Sequence, residues 1–234
     1  MNILIVAAHP DDEVLGCGGT IVRLVNEGHN VYVAIMGEGE TSRGYDINSV
    51  NNKLVAALHQ CSHRVANFFG IKKLIIQNYP DNQFDSVPML DIVKSIENVI
   101  EEIKPEVIFT HHGGDLNIDH LTVHRAVMTS TRTFPGQLVQ QVFLFEIPSS
   151  TEWAFQQFCP IFMPNYFVDI SSSIEEKIHA LSIYESESRT FPHPRSSEAI
   201  RAIGMRWGST AGFYQAEAFQ LIRAIISPTV RIFQ

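Results

Sequence analysis

Apolar runs of strand length punctuate the chain at residues 3–8, 31–36, 74–76, 107–110 and 142–145. Each is apolar at consecutive positions, not alternate ones. That pattern belongs to strands of a parallel sheet covered on both faces by helices. Segments with helical spacing separate them. Residues 14–27 carry Val14, Ile21, Leu24 and Val25 on one stripe and stop at Gly28. Residues 49–69 stop at Gly70, residues 89–104 repeat Ile92, Ile96, Val99, Ile100 and Ile103 before Pro105, and residues 120–132 form a fourth helix. Strand and helix in alternation predict βαβ units with right-handed crossovers. The expected fold class is therefore α/β: a mostly parallel sheet with helices on both faces, three layers in one domain over residues 1–234. The pattern is less regular after about residue 149. There, helices at 171–186 and 196–207 flank the Pro-bound loop "TFPHPRSS", and 216–226 reads as a strand near its start.

If strands 1 and 4 are neighbours, as in doubly wound sheets, the loops at their carboxyl ends open a ligand-binding crevice. The first loop lies in "VAAHPDDEVLG", residues 6–16, and the second is "HHGGDLNIDH", residues 111–120. In the first, Asp11, Asp12 and Glu13 suit a helix N-terminus, where one carboxylate caps and others complement the dipole. His9 goes beyond that. Pro10 biases it to extended backbone, and Asp12, three positions on, can turn back towards it. One imidazole and one carboxylate make two ligands for a divalent metal such as zinc, and a catalytic site takes a third. The second loop and the turn after it offer Asp115, Asp119, His120 and His124, with His111 and His112 at the strand end. Each also has a plain structural use as a cap or a bonded histidine.

Other chemistries are excluded. The first turn has no G-x-G-x-x-G, and its carboxylates would repel a pyrophosphate. Gly16, Gly18 and Gly19 fall inside the helix pattern, where they permit close packing. No P-loop and no G-x-S-x-G elbow occur. A net charge of −8 without a basic stripe argues against nucleic acid. No apolar run approaches the length of a membrane span, and the first residues lack a basic segment, so a cytoplasmic protein is expected. Cys17, Cys61 and Cys159 are odd in number and far apart, which predicts buried thiols and no disulfide. Arg43, in the loop "GEGETSRG", either clamps an anionic group or is a solvated loop arginine.

"AAHPDDE" together with "NIDH" resembles the paired signatures of the LmbE-like, PIG-L-type zinc de-N-acetylases. "GETSRG", "PDNQFDS", "PHPRS" and "AEAF" extend the likeness over nearly the whole chain. The resemblance implies a Rossmann-like fold. It implies His9, Asp12 and His120 as metal ligands, holding zinc or another divalent ion, and Asp11 as the general base that activates water. Asn117 stands where many members carry an oxyanion-stabilising histidine, so its amide is the expected donor, with His111, His112 or His124 as substitutes. Asp115 or Asp119 would orient His120 from behind. Glu13 is left to the helix dipole. Arg43, His193 and Arg195 would line the substrate rim, completed by the part of the chain after about residue 149. The activity implied is removal of an N-acetyl group from a small amino sugar or sugar conjugate in bacterial polysaccharide or glycoconjugate biosynthesis, with self-association left open. The rival readings are a metal- or sugar-binding module and a divalent-metal phosphohydrolase.

Overall fold

A computed structural model describes residues 1–40, 52–134 and 138–225. The strands β1 (Asn2–Ala7), β2 (Asn30–Gly37), β3 (Lys73–Tyr79), β4 (Val107–His111), β5 (Gln141–Phe145), β6 (Tyr166–Asp169) and β7 (Ala216–Ala224) form one sheet in the order β3-β2-β1-β4-β5-β7-β6. The first five pair in parallel, while β7 runs antiparallel to both β5 and β6. Among the described residues the helices are α1 (Asp12–Asn26), α2 (Asn52–Phe69), α3 (Met89–Ile103), α4 (Ile118–Ser130), α5 (Ile174–Ile183) and α6 (Ser197–Ala211).

The consecutive apolar positions of β1 serve two cores at once. Ile3, Ile5 and Ala7 pack with Val14, Ile21, Phe69 and Leu181 from α1, α2 and α5. Leu4, Val6 and Ala8 pack with Ile92, Ile96, Val123 and Val127 from α3 and α4. Helices therefore cover both faces, as the runs required. Two outcomes depart from expectation. The short, half-buried strand β6 gave no clear signal in the sequence, and of the three cysteines only Cys17 is buried while Cys159 is exposed.

Helix α1 is broken at Cys17 (φ −150°, ψ 24°). The break would leave the Leu15 carbonyl and the Gly19 and Thr20 N–H groups without intrahelical partners. Lys177 Nζ donates to Leu15 O (2.9 Å), while Glu217 accepts from Gly19 N (3.0 Å), Thr20 N (2.7 Å) and Thr20 Oγ1 (2.6 Å). The two side chains pair with each other at 2.6 Å. This is what Glu217 of the "AEAF" segment does. Gly16 is needed nearby, since a Cβ there would lie 2.5 Å from the Phe145 ring.

Candidate metal centre

Strand order reverses between β1 and β4, and their carboxyl ends lie side by side. His9 leaves the end of β1, and Asp12 opens α1. His120 sits in the first turn of α4, which Asn117 caps by accepting the Asp119 N–H. One oxygen of Asp12 is the meeting point. Oδ2 lies 2.9 Å from the backbone nitrogen of His9, 3.4 Å from His9 Nδ1 and 3.3 Å from His120 Nε2. The other oxygen, Oδ1, is buried and has no hydrogen-bond partner.

The far nitrogen of each imidazole faces a carboxylate. His120 Nδ1 is 3.0 Å from Asp115, and His9 Nε2 is 2.9 Å from Asp119 and 3.1 Å from Asp81. Carboxylates so placed fix tautomer and ring orientation in metal-ligating histidines. Each is itself anchored. Asp115 accepts from Ser150, Thr151 Oγ1 (2.7 Å) and Asn117 N (2.9 Å). Asp119 accepts from Asn82 N (2.6 Å) and Phe84 N (3.0 Å). Of the pair expected behind His120, Asp115 holds that position and Asp119 instead serves His9.

Asp11 adopts a left-handed backbone, φ 104°, a conformation that costs a non-glycine residue about 1–3 kcal/mol. Glu13 supports it, accepting the Asp11 N–H (3.1 Å) on Oε2 and the Tyr184 hydroxyl (2.6 Å) on Oε1. Glu13 is buried, so the dipole role expected of it is too small a description. The Asp11 side chain receives Arg195 Nη1 on Oδ2 at 2.6 Å.

The remaining expectations fare unevenly. Asn117 caps α4 with its carbonyl oxygen, and its Nδ2 donates one hydrogen bond to Asn82 Oδ1 (3.1 Å). His111 stacks on His120 (centroids 4.1 Å apart), and its Nε2 accepts the Ala8 N–H. His112 Nε2 faces the Pro160 carbonyl, and His124 Nδ1 that of His111. Arg195 is turned inward on Asp11 and Glu187, not out to a rim. His193, in the same loop as Arg195, sets its ring edge-on to Trp153. Arg43 lies outside the described residues. Asp81, Glu187 and Tyr184 escaped the sequence reading. Only the "PDNQFDS" likeness hinted at the first, and nothing local marked the others.

The protonation pattern follows from burial and charge. Burial pushes the Asp11 carboxyl well above its ordinary range; the Arg195 guanidinium only partly opposes this. Burial acts the same way on Asp12, but His120 and His111 outweigh it and hold Asp12 well below that range. Burial would lower His9 and His120, yet the surrounding carboxylates win. His9 rises well above its usual value and His120 climbs to about 9. Desolvation drives His111 well down and lifts Glu13 to about 7.

His9, Asp12 and His120 offer ligand atoms within 4.8 Å of one another, as do His9, Asp81 and Asp119. In the second group Asp119 is already occupied by backbone N–H groups. In the first, Asp12 Oδ1 is a buried anionic oxygen without a donor. The first group is the one that fits a divalent cation. Two imidazoles and a carboxylate, beside a further carboxylate on the next residue, form the layout of a catalytic metal centre on an α/β scaffold. The chain belongs to the GlcNAc-PI de-N-acetylase (PIG-L) family, whose model matches residues 4–131.

A deacetylase of Escherichia coli described as uncharacterized, YaiS, is 28% identical over 191 residues, covering 79% of this chain and 91% of that one. Among solved structures, N,N'-diacetylchitobiose deacetylase from Pyrococcus horikoshii superposes with a TM-score of 0.76 at 22% identity, over 98% of this chain and 87% of that one. GalB of Pseudomonas putida, a 4-carboxy-2-hydroxymuconate hydratase, superposes with a TM-score of 0.70 at 20% identity, over 98% and 99%. These two share the fold. Among the described residues no helix is long and apolar enough to cross a membrane.

Proposed function

We propose that this protein is a metal-dependent hydrolase that removes the acetyl group from an N-acetylated amino sugar or its conjugate, with His9, Asp12 and His120 holding the metal. The single observation that carries this reading is Asp11. Next in sequence to the ligand Asp12, it is a carboxylate whose pKa is raised and whose backbone is strained into place. A metal ligand needs no such neighbour; a reaction that moves a proton does.

A divalent cation in this site would lower the pKa of a water molecule and polarise an acyl oxygen, and the two imidazoles favour zinc. Asp11 takes the proton of the attacking water as the C–O bond forms. It delivers that proton to the departing nitrogen as the C–N bond breaks, leaving acetate and a free amine. Its raised pKa suits both halves of the cycle, since a base that must later serve as an acid works best near the operating pH. Asp115 and Asp119 keep the two imidazoles oriented. The segment from residue 149 onward completes the site through Ser149, Ser150, Thr151, Tyr184, Glu187 and Arg195.

The family and the E. coli relative support deacetylation, while the hydratase on the same scaffold is the rival chemistry. A panel of N-acetylglucosamine conjugates, assayed for free amine after chelation and after zinc is restored, decides between them. Amine should appear only with metal. Metal binding without amine release from any conjugate would contradict the proposal.

A further inference from the structure

The turn that ends α5 reaches Asp11 by two routes. Tyr184 terminates the helix, and Glu187 N donates back to Tyr184 O at 2.9 Å, so both residues belong to one turn. The first route runs to the backbone. The Tyr184 hydroxyl donates to Glu13 Oε1 (2.6 Å), and Glu13 Oε2 accepts the Asp11 N–H (3.1 Å). The second runs to the side chain. Glu187 Oε2 lies 3.2 Å from Arg195 Nη1, which donates to Asp11 Oδ2 at 2.6 Å. Arg195 Nε is fixed in turn by Ser149 Oγ at 2.8 Å. Asp11, Glu13, Tyr184 and Glu187 are all buried, and Arg195 is the one partly exposed member.

From this geometry we infer that the Tyr184–Glu187 turn positions the carboxylate of Asp11, with Glu13 and Arg195 as its two arms. The inference rests on the reading of Asp11 as the base. The physical need is specific. A left-handed aspartate relaxes unless its surroundings over-determine it, and Glu13 supplies an acceptor for the N–H that this conformation presents. A carboxylate has two oxygens and a free χ2. Arg195 engages Oδ2, and no described residue donates to Oδ1, so Oδ1 is left to take the proton. Arginine suits the task because its planar fork holds several oxygens in fixed directions and stays charged. Glu187 and Ser149 hold that fork, so Arg195 is not free to swing towards a substrate group. Arg195 and Glu187 are positioning residues, and they act only through Asp11.

The test uses the full chain loaded with zinc and an N-acetylglucosamine conjugate that it turns over. R195A should lower kcat by about 10²-fold, the size expected when a reacting group loses its orientation, with KM within about 3-fold and metal content unchanged. E187Q and Y184F should act in the same direction, more weakly. Millimolar guanidinium should restore part of the R195A loss and nothing in E187Q. An Arg195 that binds substrate would instead raise KM at constant kcat, and an arginine that only stabilises the fold would lower the urea midpoint without touching either constant. Either result overturns the inference.

A second measurement needs no turnover. On the metal-free protein, the urea-unfolding effects of D11N and R195A should be non-additive, because the two groups contact each other. Additive effects would mean the contact is absent and would overturn the inference too. Wild-type protein that releases no amine while the cycle shows coupling sinks the functional reading, and the positioning role with it. Amine release with kcat unchanged in R195A sinks the positioning role alone.

Discussion

Metal uptake at this site should be coupled to proton release, and pH is the simplest perturbation to show it. In the metal-free protein His9 titrates well above its usual value, His120 titrates at about 9 and Asp12 well below the carboxylate range. Between pH 6 and 8 His120 therefore holds an extra proton, His9 is shifted in the same direction, and Asp12 is already ionised. A cation needs a lone pair from each imidazole, so each binding event expels about two protons. The apparent affinity then rises about 10²-fold per pH unit. It flattens as pH passes the value of about 9 at which His120 gives up its proton unaided. The sign for stability runs the other way. His120 has a folded pKa above its unfolded value of about 6.5, so its contribution is complete below that pH and is lost as pH rises through 9. The climb from 6.5 to about 9 corresponds to about 3 kcal/mol. The metal-free protein should thus weaken over the range in which metal binds better. Isothermal titration with zinc in two buffers of different ionisation heat counts the protons directly. A count near zero, or an affinity flat from pH 6 to 8, would refute the reasoning.

Removing the carboxylates behind the imidazoles should cost about 10–100-fold in zinc affinity, for D115N through His120 and for D119N through His9, read by competition with a chelating dye. D119N should also lower thermal stability, since Asp119 accepts the N–H groups of Asn82 and Phe84. G16A should destabilise by about 1–3 kcal/mol in urea, because its Cβ would sit 2.5 Å from the buried Phe145 ring; an unchanged midpoint would refute that packing. E217A should cost about 3–5 kcal/mol by leaving the Lys177 charge buried without its carboxylate. The pair K177M/E217L should cost less than the sum of its single changes, and strict additivity would contradict the inserted ion pair.

Legibility in the sequence follows from how local each signal is. The strands β1, β2, β4 and β5 were readable because they are buried on both faces and therefore apolar at successive positions, while the half-buried β3 showed only through its short run Leu74–Ile76. The pairing of β1 with β4 followed from the common order of such sheets, and it placed the loops holding His9 and His120 together. Strand β6 was not readable, since its four residues, Tyr166–Asp169, are too few to set up a period. Asn117 caps α4, and the sequence alone does not single it out, because Asp119 stands two positions on and either side chain could begin the helix. Glu13 looked like a helix-dipole residue. Its partner Tyr184 is 171 positions away, and no local pattern announces such a contact. Arg195 was expected at the substrate rim. Its inward turn depends on Glu187 and Asp11, which only the fold brings within reach.

The account stands most directly on what happens when Asp11 becomes asparagine. D11N keeps the side-chain shape and leaves His9, Asp12 and His120 in place, so the zinc content of the purified variant should match that of the wild type. Acetate and free amine, measured together from an N-acetylglucosamine conjugate, should appear in equal amounts with the wild type and fall by about 10²-fold or more with the variant. A variant that holds zinc and hydrolyses the amide at the wild-type rate would contradict the central claim.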